Sequence, residues 1–555
     1  MVNGGALVVA GLQAHGVETV FGIPGTHNLE IYRALHGSGI RHVTPRHEQG
    51  AGYAADGYAR TTGRPGVAIV TTGPALLNIA AAVGQAYSDS IPMLVISPGM
   101  PVGHISGTGL LHEAKDQTAA LAAVAGRAHR VTSHAEIGTA IAQAFAAFTR
   151  DRPRPIHLEI PLDLIAADLA ADSLLAPPVA PVQLRRRPDP ALVAEAGRML
   201  SVAERPGLIV GGGAKCAAAS IRALAERLEA LVFQTTNGKG IVPDDHPLAV
   251  TAALHLPAAI ELIDDCDVVL AIGTELAPTD FWPGPPRWAA RLIRIDIDPA
   301  QLVINATPDV SLAGDAASAM ELLLPLIAES APNGCPALGG AAHGGAAHGR
   351  GAERDRAAQA RAVVSAQARA EGKRWLPWLA AIQTSIDAVA DALTEPAIVV
   401  ADNAMAGYYG ALGNLTVRRP GGFCFPTGFG TLGYAVPAAI GAKLGNPGAP
   451  VVALSGDGGL MFSVQELATA AAERVPLPVV VFDNGGYGEI RAEMHDAGIE
   501  PLGVNLPVPD FIGLVRALGG VGFELDTPED LTHQLSLALS RPGPTLLVVK
   551  EPRSA

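Results

Sequence analysis

Asp457 stands between glycines at the end of an apolar run, in LSGDGGLMFS (454–463), and Asn484 follows a second apolar run, in DNGGYGEI (483–490). The run PVVALS before Gly-Asp-Gly has the unbroken β-branched and apolar character of a buried parallel strand, and SVQELATAAAERV after it has helical spacing. Strands joined by one helical crossover can end beside each other. Asp457 and Asn484 are therefore expected at one crevice, at the carboxyl ends of strands where open α/β sheets bind ligands. A carboxylate, a side-chain amide and glycine carbonyls make an all-oxygen ligand set. That set suits a hard cation such as Mg²⁺, held by a carboxylate and shared with phosphates. Gly456, Gly458 and Gly459 beside the aspartate and Gly486 beside the asparagine let backbone approach a diphosphate closely. On this stretch alone Asp457 could equally cap the next helix or make a turn.

Such a crevice needs parallel sheets to build it, and the rest of the chain has that pattern. Its 555 residues are 49% hydrophobic and only 4% aromatic, a composition suited to helices packed on parallel sheets, and the length suggests about three domains. A net charge of -14 argues against nucleic acid or an anionic membrane surface as partner. The four cysteines (Cys216, Cys266, Cys335, Cys424) have neither metal spacing nor a disulfide framework. The opening residues lack a basic signal-peptide segment, and no uncharged run is long enough to span a bilayer; a cytoplasmic location is expected. Three α/β blocks follow one another, each read as a doubly wound parallel sheet. The first, 1–175, includes GVAIVTT and PMLVISP. The second, 190–330, has GLIVGGG, DVVLAIGT and RLIRIDID. Residues 331–371, rich in Gly, Ala and Arg, read as a flexible linker, with His343 and His348 too sparse for a metal site. The third block is 372–555. GGGAK in the second block lacks the full dinucleotide fingerprint, so nucleotide binding there stays open.

Gly-Asp-Gly followed one strand–helix–strand unit later by an Asn pair resembles the signature of thiamine-diphosphate-dependent enzymes, with Asp483 here replacing the first Asn. The resemblance implies that Asp457, Asn484 and the Gly486 carbonyl hold Mg²⁺, with Tyr487 and the neighbouring glycines against the cofactor. TPRHEQGAGYAADGYAR (44–60) is similar to the family's catalytic-glutamate segment and puts Glu48 on the cofactor's pyrimidine ring, where it shares the proton that activates the thiazolium. The plain alternative is a charge on a helix surface. GFGTLGYAVPAAIG (428–441) looks like the family's cofactor-bending segment. Leu432 would be the wedge and the Gly430 carbonyl the acceptor for the cofactor's amino group; otherwise Leu432 is core. FGIPGTHN, TTGPALLNIAAAVGQAYSDSIPMLVI, TTNGKGIVPDDHPL and RIDIDP resemble the acetolactate synthase and 2-oxoacid decarboxylase branch. Its domain order is pyrimidine-binding, middle, diphosphate-binding. In that branch a site needs two subunits, which implies a homodimer as minimum and usually a tetramer.

Protonation of the decarboxylated species gives an aldehyde, whereas its attack on a second carbonyl gives a carboligation product. Three departures from the synthases bear on that choice. Leu111-His112-Glu113 stands where synthases carry Phe-Gln-Glu, so His112 could deliver a proton, unless it is a surface loop histidine. GTELAPTDFWPG (273–284) lacks the stretch associated with flavin, which argues against FAD. GYGEIR places Glu489 where synthases have an apolar residue beside the substrate. An acid there suits a cationic or polar 2-oxo acid, as in guanidino-oxoacid decarboxylases, unless it pairs with Arg491. His27, after GIPGT, is a second proton-transfer candidate or a helix cap, and Thr26, Glu489 and Ile490 are expected to face the substrate. The expected activity is non-oxidative decarboxylation of a 2-oxo acid, with or without carboligation. Acetolactate synthase is the alternative; a silent subunit or a nicotinamide oxidoreductase fits the motifs less well.

Overall fold

The computed structural model describes residues 2–170, 179–180, 185–328 and 349–552. Its three large sheets have six strands each. The first is built from β1 (Thr19–Gly22), β2 (Arg41–Val43), β3 (Gly66–Ile69), β4 (Met93–Gly99), β5 (Arg127–Arg130) and β6 (Ile156–Pro161). They lie in the order β2-β1-β3-β4-β6-β5, all parallel. Helices cover both faces, which is why the strands read as continuous apolar runs: Val67, Ile69, Leu94 and Ile96 enter one core, Ala68, Met93 and Val95 another. The second sheet has β7 (Pro206–Val210), β8 (Leu231–Gln234), β9 (Ala249–Val250), β10 (Val268–Ile272), β11 (Arg291–Asp296) and β12 (Val310–Ala313), ordered β9-β8-β7-β10-β11-β12. The third has β13 (Ile398–Ala401), β14 (Phe423–Cys424), β15 (Val451–Gly456), β16 (Leu477–Asp483), β17 (Val521–Leu525) and β18 (Pro544–Lys550). Its order, β14-β13-β15-β16-β18-β17, repeats that of the first sheet.

The chain divides into two compact units. One holds 1–184, 384–407 and 424–555, so the first and third domains fold as a single body with a shared core that runs from Ala68 and Val95 to Val400, Ala453 and Val479. Its seam is the crossing of helices Glu48–Thr62 and Ala435–Gly445. Side chains at Gly57 and Gly441 would collide with the Ala438 and Ala54 carbonyls, so the two backbones touch only because both positions are glycine. Arg60 is buried in that seam and paired with Asp56 (2.5 Å) and Asp89 (2.6 Å).

The other unit holds 185–383 and 408–423. Within the expected linker, 331–348 lies outside the described residues, but Gly349–Glu371 is a helix with Ala357, Ala360, Val364 and Ala368 buried in the second unit's core. Alanine on one face lets a helix pack on little side-chain volume, and Arg, Gln and Glu elsewhere favour the helix. Residues 372–383 and 408–423 also cluster with this unit. The strand order of its sheet has a reversal between β7 and β10, where dinucleotides bind in related sheets. Here the loops after those strands pack on each other: a Cβ at Gly211 would collide with the Gly273 carbonyl, and one at Gly273 would lie 2.6 Å from the Gly213 carbonyl carbon. Among the described residues no helix is long and apolar enough to cross a membrane.

Candidate active site

Asp457 opens a one-turn helix, Asp457–Leu460, directly after β15. Its side chain accepts the Asn484 amide at 3.4 Å and the Gly486 amide at 2.7 Å, across the crevice after β16. Burial, then the nearby Asp483, pushes the Asp457 carboxyl above its ordinary range. Asn484 Oδ1 is buried with no hydrogen-bond partner. Such an orphan acceptor is costly unless something takes its lone pair. A Cβ on Gly458 would lie 2.9 Å from the Tyr487 ring and 3.2 Å from the Gly486 carbonyl oxygen, so ring and carbonyl both sit against the Gly-Asp-Gly turn. Gly486 has φ +133, a conformation a side chain would strain. A carboxylate, an unpartnered amide oxygen and a carbonyl thus belong to these two adjoining loops, and their chemistry fits a hard divalent cation. Arg491, nearly buried, directs its two Nη groups to Asn505 Oδ1 (2.8 Å) and the Asn484 carbonyl (3.2 Å), bracing this loop. Glu489 is half-buried in the first turn of helix Gly488–Asp496, and Ile490 is exposed.

The 427–434 loop is fixed along its length. Asp89 accepts the Thr427 and Gly428 amides at 3.2 and 3.1 Å, and Thr431 shares a short hydrogen bond with the buried Tyr53. Asp402 accepts the Gly433 amide at 3.1 Å and the Tyr434 amide at 3.4 Å. Burial lifts the Asp402 carboxyl to about 6 against the pull of the Asn403 amide, the Ser455 hydroxyl and the Tyr434 amide. Gly430 has φ +67, and its carbonyl accepts Asn403 Nδ2 at 3.0 Å, leaving its second lone pair for another donor. Leu432 is half-buried and outside the core clusters. Asp402 and Asn403 escaped the sequence reading, although a polar pair directly after the apolar run PAIVVA marks such a loop.

Glu48 is the first residue of its helix and accepts Asn78 Nδ2 at 2.9 Å. The preceding turn is held by Glu466, buried in the third domain, which accepts the Arg46 amide at 3.0 Å and the Thr469 hydroxyl at 2.7 Å. A Cβ at Gly50 would come within 2.5 Å of the Glu466 carboxylate, so glycine makes room for this anchor. Neither Asn78 nor Glu466 was singled out in the sequence.

His27 and His112, far apart in sequence, meet. Thr72, buried after β3, places its Oγ1 2.5 Å from His27 Nδ1 and 3.4 Å from His112 Nδ1, and the two rings stand edge to face at 5.2 Å. Burial, then His112, lowers the His27 pKa, favouring the neutral ring. His112 has φ +62, rare for a residue with a side chain, and Gly73 packs directly on its carbonyl. Glu113 staples the same loop: it accepts His104 Nε2 (2.9 Å) and the Gly107 and Gly109 amides (2.5 and 2.8 Å), which hold its carboxyl down to about 2. Thr26 is exposed beside His27.

Comparison with known proteins gives three matches along the chain. They are the thiamine pyrophosphate enzyme N-terminal TPP binding domain over residues 2–120, the central domain over 193–323 and the C-terminal TPP binding domain over 405–549. A probable 2-ketoarginine decarboxylase of Pseudomonas aeruginosa is 42% identical over 554 residues, covering 99% of this chain and 94% of that protein. The acetolactate synthase isozyme 2 large subunit of Escherichia coli is 32% identical, covering 99% and 95%. A probable acetolactate synthase large subunit of Methanocaldococcus jannaschii is 29% identical, covering 100% and 93%.

Proposed function

We propose that this chain, which belongs to the thiamine pyrophosphate enzyme family, decarboxylates a 2-oxo acid without oxidation and releases the aldehyde one carbon shorter. Thiamine diphosphate supplies the electron sink that lets a 2-oxo acid lose CO₂. The chain's own residues bind, orient and exchange protons. Asp457, Asn484 Oδ1 and the Gly486 carbonyl would hold Mg²⁺ and with it the diphosphate; the unpartnered Asn484 oxygen supports that role. Gly456, Gly458, Gly459 and Tyr487 line the same turn. Leu432 and the Gly430 carbonyl would shape and hold the rest of the cofactor, and Glu48, kept in place by Asn78 and by the Glu466-anchored turn before it, would supply the carboxyl for its pyrimidine ring. The observation that carries the decarboxylase reading is the meeting of His27 and His112 over Thr72, since an aldehyde product needs a delivered proton and a carboligation product at that carbon does not.

The likeness to a 2-ketoarginine decarboxylase, together with Glu489, points to a 2-oxo acid with a cationic side chain. A carboxylate facing a guanidinium adds roughly 1.5–3 kcal/mol, or about 10- to 100-fold in kcat/KM over a neutral acid if it persists in the transition state. Acetolactate synthesis from pyruvate is the second reading, favoured by the synthase relatives. The test compares parent and Glu489→Gln on 5-guanidino-2-oxopentanoate and on pyruvate, following both CO₂ and product. The parent is expected to prefer the guanidino acid and release its aldehyde, with the substitution narrowing that preference. Preference for pyruvate with acetolactate as product would overturn the reading.

A homodimer or larger homo-oligomer belongs to this proposal. Leu77 and Phe429, next in sequence to Asn78 and Gly430, and Met461 and Phe462, just past the one-turn helix that Asp457 opens, are all exposed in the single chain. Apolar surface of that kind beside a site suits coverage by a second copy.

A further inference from the structure

Two imidazoles and one hydroxyl form a single line of hydrogen bonds after β3. Thr72 Oγ1 is 2.5 Å from His27 Nδ1 and 3.4 Å from His112 Nδ1, and the threonine is fully buried. A hydroxyl has one proton and two acceptor lone pairs. It can donate to only one Nδ1, so the other bond must run from an Nδ1–H into Oγ1. A neutral ring that accepts at Nδ1 carries its proton on Nε2, and one that donates at Nδ1 leaves Nε2 bare. While both rings are neutral, they must therefore hold opposite tautomers.

We infer that Thr72 is a positioning residue that locks His27 and His112 as a complementary acid–base pair, one ring offering an Nε2 proton and the other an Nε2 lone pair. The inference rests on the decarboxylase reading and deepens it. When the acidic ring gives its Nε2 proton to the product carbon, its Nδ1 takes the Thr72 proton. Thr72 takes the Nδ1 proton of the other ring, which gains one from solvent at its own Nε2. One proton enters and one leaves, matching the single proton consumed when a 2-oxo acid becomes an aldehyde and CO₂. The rings have then exchanged tautomers, and the reverse relay, with a proton taken up at one Nε2 and released to solvent at the other, restores the starting pair before the next turnover. The rest of the loop keeps the line straight. Gln117 accepts the Gly73 amide at 3.2 Å and donates to the Pro98 carbonyl at 2.6 Å, so Gly73 and the His112 carbonyl packed on it are fixed to β4. The left-handed His112 backbone then has a positional reason.

The experiment uses the whole protein with Thr72→Val, which keeps shape and loses the hydroxyl, and Thr72→Ser, which keeps the hydroxyl. Nitrogen-15 histidine spectra, assigned by His27→Asn and His112→Asn, read each ring's tautomer directly. The parent should show one Nδ1–H and one Nε2–H ring, a complementarity that Thr72→Val abolishes. In Thr72→Val the kcat for aldehyde release should fall about 100-fold, with KM and thiamine diphosphate affinity within about twofold, and Thr72→Ser should recover most of the loss. Identical tautomers in the parent, Thr72→Val within a few-fold of parent kcat, or Thr72→Ser as impaired as Thr72→Val would overturn the inference. If the parent decarboxylates no 2-oxo acid the functional proposal fails, while the tautomer spectra still decide the role of Thr72.

Discussion

Asp457 combines burial, a nearby carboxylate and two amide donors, a combination that keeps a negative charge at a cost until a cation arrives. If a cation held by Asp457 links the chain to the diphosphate, as proposed, Asp457→Ala should lose Mg²⁺ and thiamine diphosphate together, with the fold retained. Equilibrium dialysis checks this, and normal cofactor retention in the variant would remove the cation from the assignment. The residues legible in sequence were those whose neighbours announce them. Asp457 and Asn484 stand at strand ends among glycines, and Glu48, His27 and His112 lie in segments resembling a known family. Glu466 carries no such local mark, and Thr72 and Asn78, inside a segment that resembles the family, and Asp402 and Asn403, after an apolar strand, give no sign in sequence of the partners they meet. Glu466 acts on Arg46, 420 positions away, and Thr72 joins histidines 45 and 40 positions from it. A polar residue whose meaning lies in a distant partner reads, in sequence, as an ordinary helix or loop residue.

Between elements, the decisive contact is the crossing of helices Glu48–Thr62 and Ala435–Gly445. It carries Glu48 at one end and continues from the Leu432 loop at the other. Its strands were readable from apolar runs alone, because sheets buried on both faces need them. The crossing was not, since glycines within GYAADGYAR and AVPAAIGAK show their purpose only when two backbones meet. The helix Gly349–Glu371 was missed for a related reason: an alanine face looks like low complexity until a core is laid against it. Gly441→Ala should cost about 1–3 kcal/mol as overpacking against the Ala54 carbonyl. Its urea midpoint should fall, whereas Gly448→Ala, with nothing nearer than 3.7 Å to its new methyl, should leave the midpoint close to the parent's. Equal midpoints in the two variants would mean that the crossing relaxes freely.

At the scale of the whole molecule the question is which halves make one site. The first and third domains of a chain share a core, so each copy brings a Glu48 and an Asp457 in a fixed relation. If a working site takes Glu48 from one copy and Asp457 from another, two inactive variants can repair each other. Glu48→Gln alone and Asp457→Ala alone should each be nearly inactive. In a mixed dimer, one site collects both substitutions and the other collects none. After equal amounts are unfolded and refolded together, half of randomly paired dimers are mixed and half of their sites are intact, so about one quarter of parent activity should return. A site built within one chain gives a different answer, because every site then keeps one lesion and mixing restores nothing. Activity measured before and after co-refolding separates the two arrangements, and sedimentation of the mixture verifies that the copies have paired.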